Sequence, residues 1–93
     1  MDVSLAFDWD AENTRHLSRH GVTPGEFEQL MCGDPIYLEY QTANGEERYK
    51  VLGATGSGVT LIAIWTPREG KVRAVTAYRA GRAHQERYWR ARS

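Results

Sequence analysis

The pattern of hydrophobic and polar residues predicts a strand and a helix at the start of the chain. Hydrophobic side chains alternate with smaller or polar ones over residues 5–9, which predicts a short strand with one aromatic face. A helix is predicted over residues 11–20, because Asp10 can cap the free amides of its first turn. Gly21 is predicted to end that helix, since glycine readily adopts the left-handed conformation favoured after a helix.

A second helix is predicted to begin after Thr23. Pro24 suits the first helical position, and Glu26 follows the cap by three residues, as in a capping box. Residues 33–35, Gly-Asp-Pro, are predicted to stop this helix. Its apolar stripe consists of Phe27, Leu30 and Met31.

The following part of the chain, from Ile36 to Tyr78, has the pattern of strands separated by turns. The predicted strands are residues 36–40, 47–55, 59–66 and 71–79, with turns at 44–45, 56–58 and 69–70. The third of these strands is the most continuously apolar and is predicted to be central. On the fourth, Arg73, Val75, Ala77 and Arg79 are predicted to share one face.

A final basic segment, residues 82–92, is predicted to form a C-terminal helix. The predicted fold class is therefore α+β, with helices packed on an antiparallel sheet of four to five strands. A chain of 93 residues has room for one domain, spanning residues 1–93.

Composition restricts the class of protein further. With 41% hydrophobic and 26% charged residues, the chain has the composition of a soluble globular protein. It has no apolar run near the roughly 18 residues of a membrane span, and its start does not resemble a signal peptide, so we expect a cytoplasmic protein with no membrane partner. The single cysteine, Cys32, excludes an internal disulfide and a cysteine zinc site.

The formal net charge of zero conceals two halves of opposite sign. Residues 1–47 contain ten acidic and two basic residues, whereas residues 48–93 contain ten basic and two acidic ones. The C-terminal half is therefore a candidate surface for phosphate. The alternative is that the two halves face and neutralise each other in the folded protein.

Asn13, His16 and His20 share one face of the predicted first helix, and histidines four residues apart can share a zinc ion. The glutamate of an HExxH motif is missing, because Leu17 follows His16, and the other histidine, His84, is distant in sequence. We therefore expect no metal and no cofactor. An acid/base pair and an ordinary helix end remain open as interpretations of this stretch.

A second candidate site combines two of the predicted strands. Arginine side chains suit phosphate oxygens, and RNA cleavage through the 2′-hydroxyl needs a base, an acid and positive charge, but no metal. The alternative is that Glu47 and Arg48 form weak surface pairs and that the aromatic residues belong to the core or its rim. The residues of this candidate site are Glu47, Arg48, Tyr49, Arg73 and Arg79, with Arg82 and Arg87 beyond them.

Several motifs in a fixed order resemble those of the BrnT family of type II toxins. They are FDWD, NxxHxxxHGVTPxE, GEERYxxLGxT, a strand that ends in WT, and RAVTAYRAxRxxxERYW, and together they cover residues 5 to 90. The resemblance implies a RelE-like fold and a metal-independent endoribonuclease that arrests translation. It also implies neutralisation by a cognate BrnA-like antitoxin. The ribbon-helix-helix portion of that antitoxin binds the operator DNA, so the toxin contacts this DNA only indirectly.

The resemblance transfers to individual residues. Residues 19–22 match the family's KHGV motif, but this chain has Arg19 where lysine is typical, and arginine titrates too high to donate a proton. It also has His16 where asparagine is usual. The candidate catalytic residues are Arg19, Glu47, Arg48, Arg73 and Arg79, which match the family motifs, and His16, which departs from them. Candidate RNA contacts are Tyr49, Tyr78, Arg82 and Arg87; His20 and Gly21 are assigned structural roles.

A competing interpretation is a catalytically inactive binding module of the same fold that acts through a protein partner. The zero net charge and the missing lysine motivate it, since phosphate binding usually requires a basic excess.

Overall fold

The computed structural model describes residues 5–93, which form three helices and one four-stranded sheet. The strands follow one another in the order β1-β2-β3-β4, and each pairs with the next in antiparallel fashion. The predicted α+β class with a C-terminal helix is therefore confirmed. The elements are α1 (Ala11–Ser18), α2 (Pro24–Cys32), β1 (Ile36–Ala43), β2 (Glu46–Ala54), β3 (Thr60–Arg68), β4 (Lys71–Arg79) and α3 (Arg82–Ala91).

Both N-terminal helices begin at the predicted caps. The amide of Asn13 donates to the Asp10 side chain over 3.0 Å, and the amide of Asp10 donates back to the Asn13 side chain over 2.9 Å. Thr23 and Glu26 form the same reciprocal pair at the start of α2, over 3.1 and 2.9 Å. These bonds satisfy amides that a helix start leaves free, which explains why both helices begin where the sequence predicts.

The two faces of the sheet are covered by different helices. On the first face, α1 and α2 form a core with β2, β3 and β4, in which Leu17, Phe27 and Leu30 are fully buried or nearly so. On the second face, α3 packs its Tyr88 into a smaller cluster with Leu52 of β2 and others. Because α3 covers only one end of the second face, the other end of that face remains open.

A β-bulge interrupts the alternation of side chains along β4, so that the pattern of faces differs before and after it. Its pairing with β3 shifts register midway along the strand and leaves Val75 as the extra residue. Opposing residues of antiparallel strands point to the same face, so Arg79, opposite Leu61, lies on the first face, whereas Arg73, opposite Thr66, lies on the second. The prediction that Arg73 and Arg79 share one face is wrong, because the inserted residue reverses the alternation.

The predicted first strand, residues 5–9, is reduced to one bridge beside β4. Phe7 pairs with Val72 in parallel, with the Asp8 amide donating to the Val72 carbonyl over 2.9 Å. Helix α1 begins directly afterwards, so this segment does not extend into a fifth strand. It nevertheless places Asp8 and Asp10 beside β4. Within residues 5–93, no helix is long and apolar enough to span a membrane.

Candidate active site on the second face

A cavity of about 260 Å³ opens on the second face of the sheet. Helix α1 packs against β4, the outermost strand on that side, and so contributes both to the first-face core and to the lining of this cavity. Two further depressions adjoin it, one sharing Glu46, Thr66 and Arg73, and the other sharing Arg48. The bulge in β4 is what turns Arg73 toward this cavity. The polar lining comes from all the elements around it: Glu12, Asn13 and His16 of α1, Glu46 and Arg48 of β2, Thr66 of β3 and Arg73 of β4.

Two buried polar atoms of the cavity residues lack any partner among the described residues. They are Nε of Arg48 and Oγ1 of Thr66; another such atom, Nε1 of Trp65, belongs to the neighbouring position on β3. Buried polar groups are rarely left unpaired, because each unmade bond costs about 1–3 kcal/mol. Two free donors in one cavity, beside the guanidinium of Arg73, would suit a ligand that supplies acceptor oxygens.

Arg73 is held in place by two carboxylates. Its Nη1 lies 2.9 Å from Oδ2 of Asp10 and 3.5 Å from Oδ2 of Asp8, and its side chain is only 12% exposed. The contact with Arg73, helped by the amide of Asn13, lowers the pKa of Asp10, and Asp10 in turn raises the pKa of Arg73. Nη1 is therefore satisfied by the two carboxylates. Arg73 keeps its positive charge and is fixed in its position at the cavity.

Glu46, and not Glu47, is the glutamate of this hairpin that shares the cavity with arginine. Its Oε2 lies 3.3 Å from Nη2 of Arg48, and both side chains are partly exposed. Glu47 points to the opposite face, where it accepts a hydrogen bond of 3.2 Å from the Tyr40 hydroxyl, and it lines one adjoining depression but not the cavity itself. The sequence contains the signal for this, because residues two apart on a strand share a face, and Glu46 stands two before Arg48.

The two histidines of the N-terminal motif occupy different environments. His16 lines the cavity from α1, whereas His20 lies beyond the end of the helix with its ring 6.1 Å from that of Tyr78. Gly21 follows with a φ of +71°, a backbone conformation that residues other than glycine rarely adopt. Among residues 5–93, no three His, Cys, Asp or Glu side chains cluster so that they could hold a metal ion.

The remaining predicted site residues lie outside the cavity. Arg79 lines a separate pocket of about 160 Å³ beside α3. Arg82 is almost fully exposed and pairs with Glu86, one turn along α3, over 3.4 Å. The structure thus separates these residues from Arg48 and Arg73. Of the others, Arg19 is exposed at the end of α1, Arg87 is exposed on α3, Tyr78 is half-buried on the second face, and Tyr49 stacks on Trp65 with ring centroids 4.6 Å apart.

Sequence reasoning missed three polar residues of the cavity, which are Glu12 of α1, Glu46 of β2 and Thr66 of β3. Thr66 carries no charge and lies at the end of an apolar strand, so the sequence gives no sign of a functional role. Only the structure shows that its side chain is 3% exposed and that its hydroxyl has no partner. For Glu46, the sequence analysis selected the neighbouring residue, Glu47. Glu46 and Thr66 both reach the cavity through strand register, which depends on the turn and the bulge.

Comparison with known proteins identifies the family. Residues 9–84 match the family model described as a ribonuclease toxin, BrnT, of type II toxin-antitoxin systems. A search of curated proteins finds no match to this chain. The matched stretch covers most of the chain and includes every residue that lines the cavity. This protein therefore belongs to the BrnT family of ribonuclease toxins of type II toxin-antitoxin systems.

Proposed function

We propose that this protein is a metal-independent endoribonuclease that cleaves RNA in the second-face cavity and thereby arrests translation. We further propose that a BrnA-like, ribbon-helix-helix antitoxin neutralises it and carries any contact with operator DNA. The observation that supports the catalytic proposal is the pair of unpartnered donors on Arg48 and Thr66, next to the guanidinium of Arg73 and to His16 and Glu46.

The cavity residues suit cleavage through the neighbouring 2′-hydroxyl of RNA. In this reaction the 2′-oxygen forms a bond to phosphorus, the bond from phosphorus to the 5′-oxygen breaks, and a 2′,3′-cyclic phosphate and a 5′-hydroxyl result. Glu46 accepts the proton of the 2′-hydroxyl, and His16 donates a proton to the departing 5′-oxygen. Both residues line the same cavity on opposite sides, one from β2 and the other from α1.

The arginines and Thr66 stabilise the charge that develops on the phosphate oxygens. Arg48 and Arg73 bring two positive charges to the cavity, and donors fixed in advance at the place where charge develops are usually a large part of catalysis. Arg73 cannot easily turn away, because Asp8 and Asp10 hold it. The positive charge that a metal ion would supply in other nucleases is thus provided by side chains.

The experiment that tests the proposal is cleavage of a defined messenger RNA by purified protein in EDTA. A transcript cut to products with 2′,3′-cyclic phosphate and 5′-hydroxyl ends is the expected result, and the DNA of the same sequence should remain intact. Arg73→Gln should lose activity by about 10²-fold or more, whereas Arg79→Gln, from the same strand but outside the cavity, should retain it. Circular dichroism and thermal unfolding verify that both variants are folded.

The other outcomes discriminate between the alternatives. Cleavage that requires added Mg²⁺ would contradict the metal-independent mechanism. Loss of activity in Arg79→Gln with retention in Arg73→Gln would move the site to the pocket beside α3. Folded wild-type protein that binds the antitoxin but never cuts RNA would favour the inactive binding module. Translation arrest is measured separately, as the yield of a reporter in a cell-free system.

A further inference from the structure

The first face carries an exposed aromatic patch, which consists of Tyr37, Tyr40, Tyr49 and Trp65. Tyr37 and Tyr40 lie on β1 and are 55% and 53% exposed. Both contact the ring of Tyr49, with centroids 6.0 and 5.0 Å away, and Tyr49 stacks on Trp65. The patch is thus one continuous surface that starts in the core and ends at the edge of the sheet. Large exposed patches of apolar side chains often mark interaction sites.

The patch lies along a free edge of the sheet. β1 is the outermost strand, and within residues 5–93 nothing pairs with its outer side. An outer strand presents unpaired backbone groups to which an extended segment of another chain can add. A segment added at this edge would place alternate side chains beside Tyr37 and Tyr40 on the first face.

The patch has a carboxylate beside it and no basic side chain within it, which favours a basic protein segment over RNA. No lysine or arginine occurs between Arg19 and Arg48. Glu47 lies beside the patch and accepts the hydrogen bond of the Tyr40 hydroxyl. Unlike the second-face cavity, which contains Arg48 and Arg73, the patch has no basic side chain to pair with phosphate. The carboxylate of Glu47 attracts lysine or arginine side chains, which also bind well to aromatic faces.

We propose that the antitoxin binds here, by adding an extended basic segment to β1 with its lysine or arginine side chains on the aromatic patch. This rests on the proposed function in one respect, namely the antitoxin as the neutralising partner. The alternate side chains of the added segment would lie on the second face beside Gln41, which lines a depression shared with Arg48. A segment bound at β1 would therefore also lie beside a depression that adjoins the second-face cavity, although the aromatic patch itself lies on the first face.

The test is titration calorimetry of the purified cognate antitoxin into the wild-type protein and into a double variant, Tyr37→Ser with Tyr40→Ser. Both side chains are exposed, so the variant should fold like the wild type. We expect its Kd for the antitoxin to rise at least about tenfold, since central aromatic residues dominate most interfaces. The matched control is Trp89→Ser on α3, an aromatic residue of similar exposure, 48%, outside the patch, whose Kd should stay within about twofold.

RNA cleavage by the same variants separates this inference from the proposed function. The double tyrosine variant should cut RNA at the wild-type rate in the absence of antitoxin and should resist inhibition by it. If no variant and no wild-type protein cuts RNA, the proposed function fails, but the change in Kd still supports the interface. An unchanged Kd in the double variant overturns the interface, as does loss of its RNA cleavage or its RNA binding. Sedimentation that shows a wild-type dimer lost in the double variant would assign the patch to a second copy and equally overturn it.

Discussion

Asp10 links the start of α1 to Arg73 of β4 through the two oxygens of one carboxylate. Oδ1 accepts the amide of Asn13 over 3.0 Å, and Oδ2 lies 2.9 Å from Nη1 of Arg73. The helix that carries His16 and the strand that carries Arg73 are therefore held by the same side chain. This contact fixes the distance across the cavity in which we propose that RNA is cleaved.

Replacement of Asp10 by asparagine should reduce the stability of the protein at neutral pH but not at acid pH. Asparagine is also a good helix cap, so the substitution removes the ion pair with Arg73 and leaves the cap. The lowered pKa of Asp10 means that the folded state holds the ionised form more firmly than the unfolded state does. The stabilisation is fully present above the unfolded pKa of about 3.9 and is lost as the pH falls through the lower folded pKa.

The measurement is thermal unfolding of both proteins from pH 7 down to pH 2, followed by circular dichroism. The Tm of Asp10→Asn should lie below that of the wild type at neutral pH, and the two should converge in acid. A Tm difference that stays constant over the whole range would show that the carboxylate charge contributes nothing.

Thr66→Val should lower RNA cleavage without lowering stability. The Thr66 hydroxyl is buried and unpartnered, so a valine of the same shape removes an unsatisfied polar group, and the free energy of unfolding should stay equal or rise by up to about 1 kcal/mol. If the hydroxyl donates to the phosphate, cleavage should fall by about 10²-fold. Urea unfolding and single-turnover cleavage measure the two effects. A variant that is both fully active and more stable would remove Thr66 from the site.

Glu46→Gln and Glu47→Gln form a matched pair of variants from neighbouring positions. Glu46 shares the cavity with Arg48, whereas Glu47 is bonded to Tyr40 on the opposite face. Loss of a general base typically costs about 10²–10⁴-fold in rate, so Glu46→Gln should fall in that range while Glu47→Gln retains most of its activity. The check is the single-turnover cleavage rate of the two variants and the wild type on the same RNA. The reverse result would restore the glutamate that the family motif implied.

Gly53→Ala should destabilise the fold, because a Cβ at this position would lie 2.7 Å from Cγ of Leu30. Leu30 is almost fully buried between α2 and the sheet, so it cannot move aside freely, and overpacking of this kind costs about 1–3 kcal/mol. Gly25→Ala is the control: it lies in the first turn of α2, where an added Cβ meets nothing closer than 3.9 Å. That variant should be more stable by up to about 1 kcal/mol in urea unfolding. Equal stability of both variants would show that the packing of α2 on the sheet adapts easily.

Local signals in the sequence were enough to locate most elements. Asp10 and Thr23 cap the first two helices because each cap depends only on residues three positions away. Turns such as Asn44-Gly45 separate the strands, and both of these residues have positive φ values, as their types predict. Helix α1 is nevertheless shorter than predicted and ends at Ser18, before His20.

The sequence by itself thus determined the fold class, the order of the elements and the family, all of which follow from local patterns and from motifs in a fixed order. The composition of the site was decided by the tertiary structure. A single inserted residue at Val75 turns Arg73 and Arg79 to opposite faces, and strand register selects Glu46 over Glu47. Since side chains alternate with a period of two, a shift of one residue moves a side chain to the other face, and such shifts are set by pairing between strands.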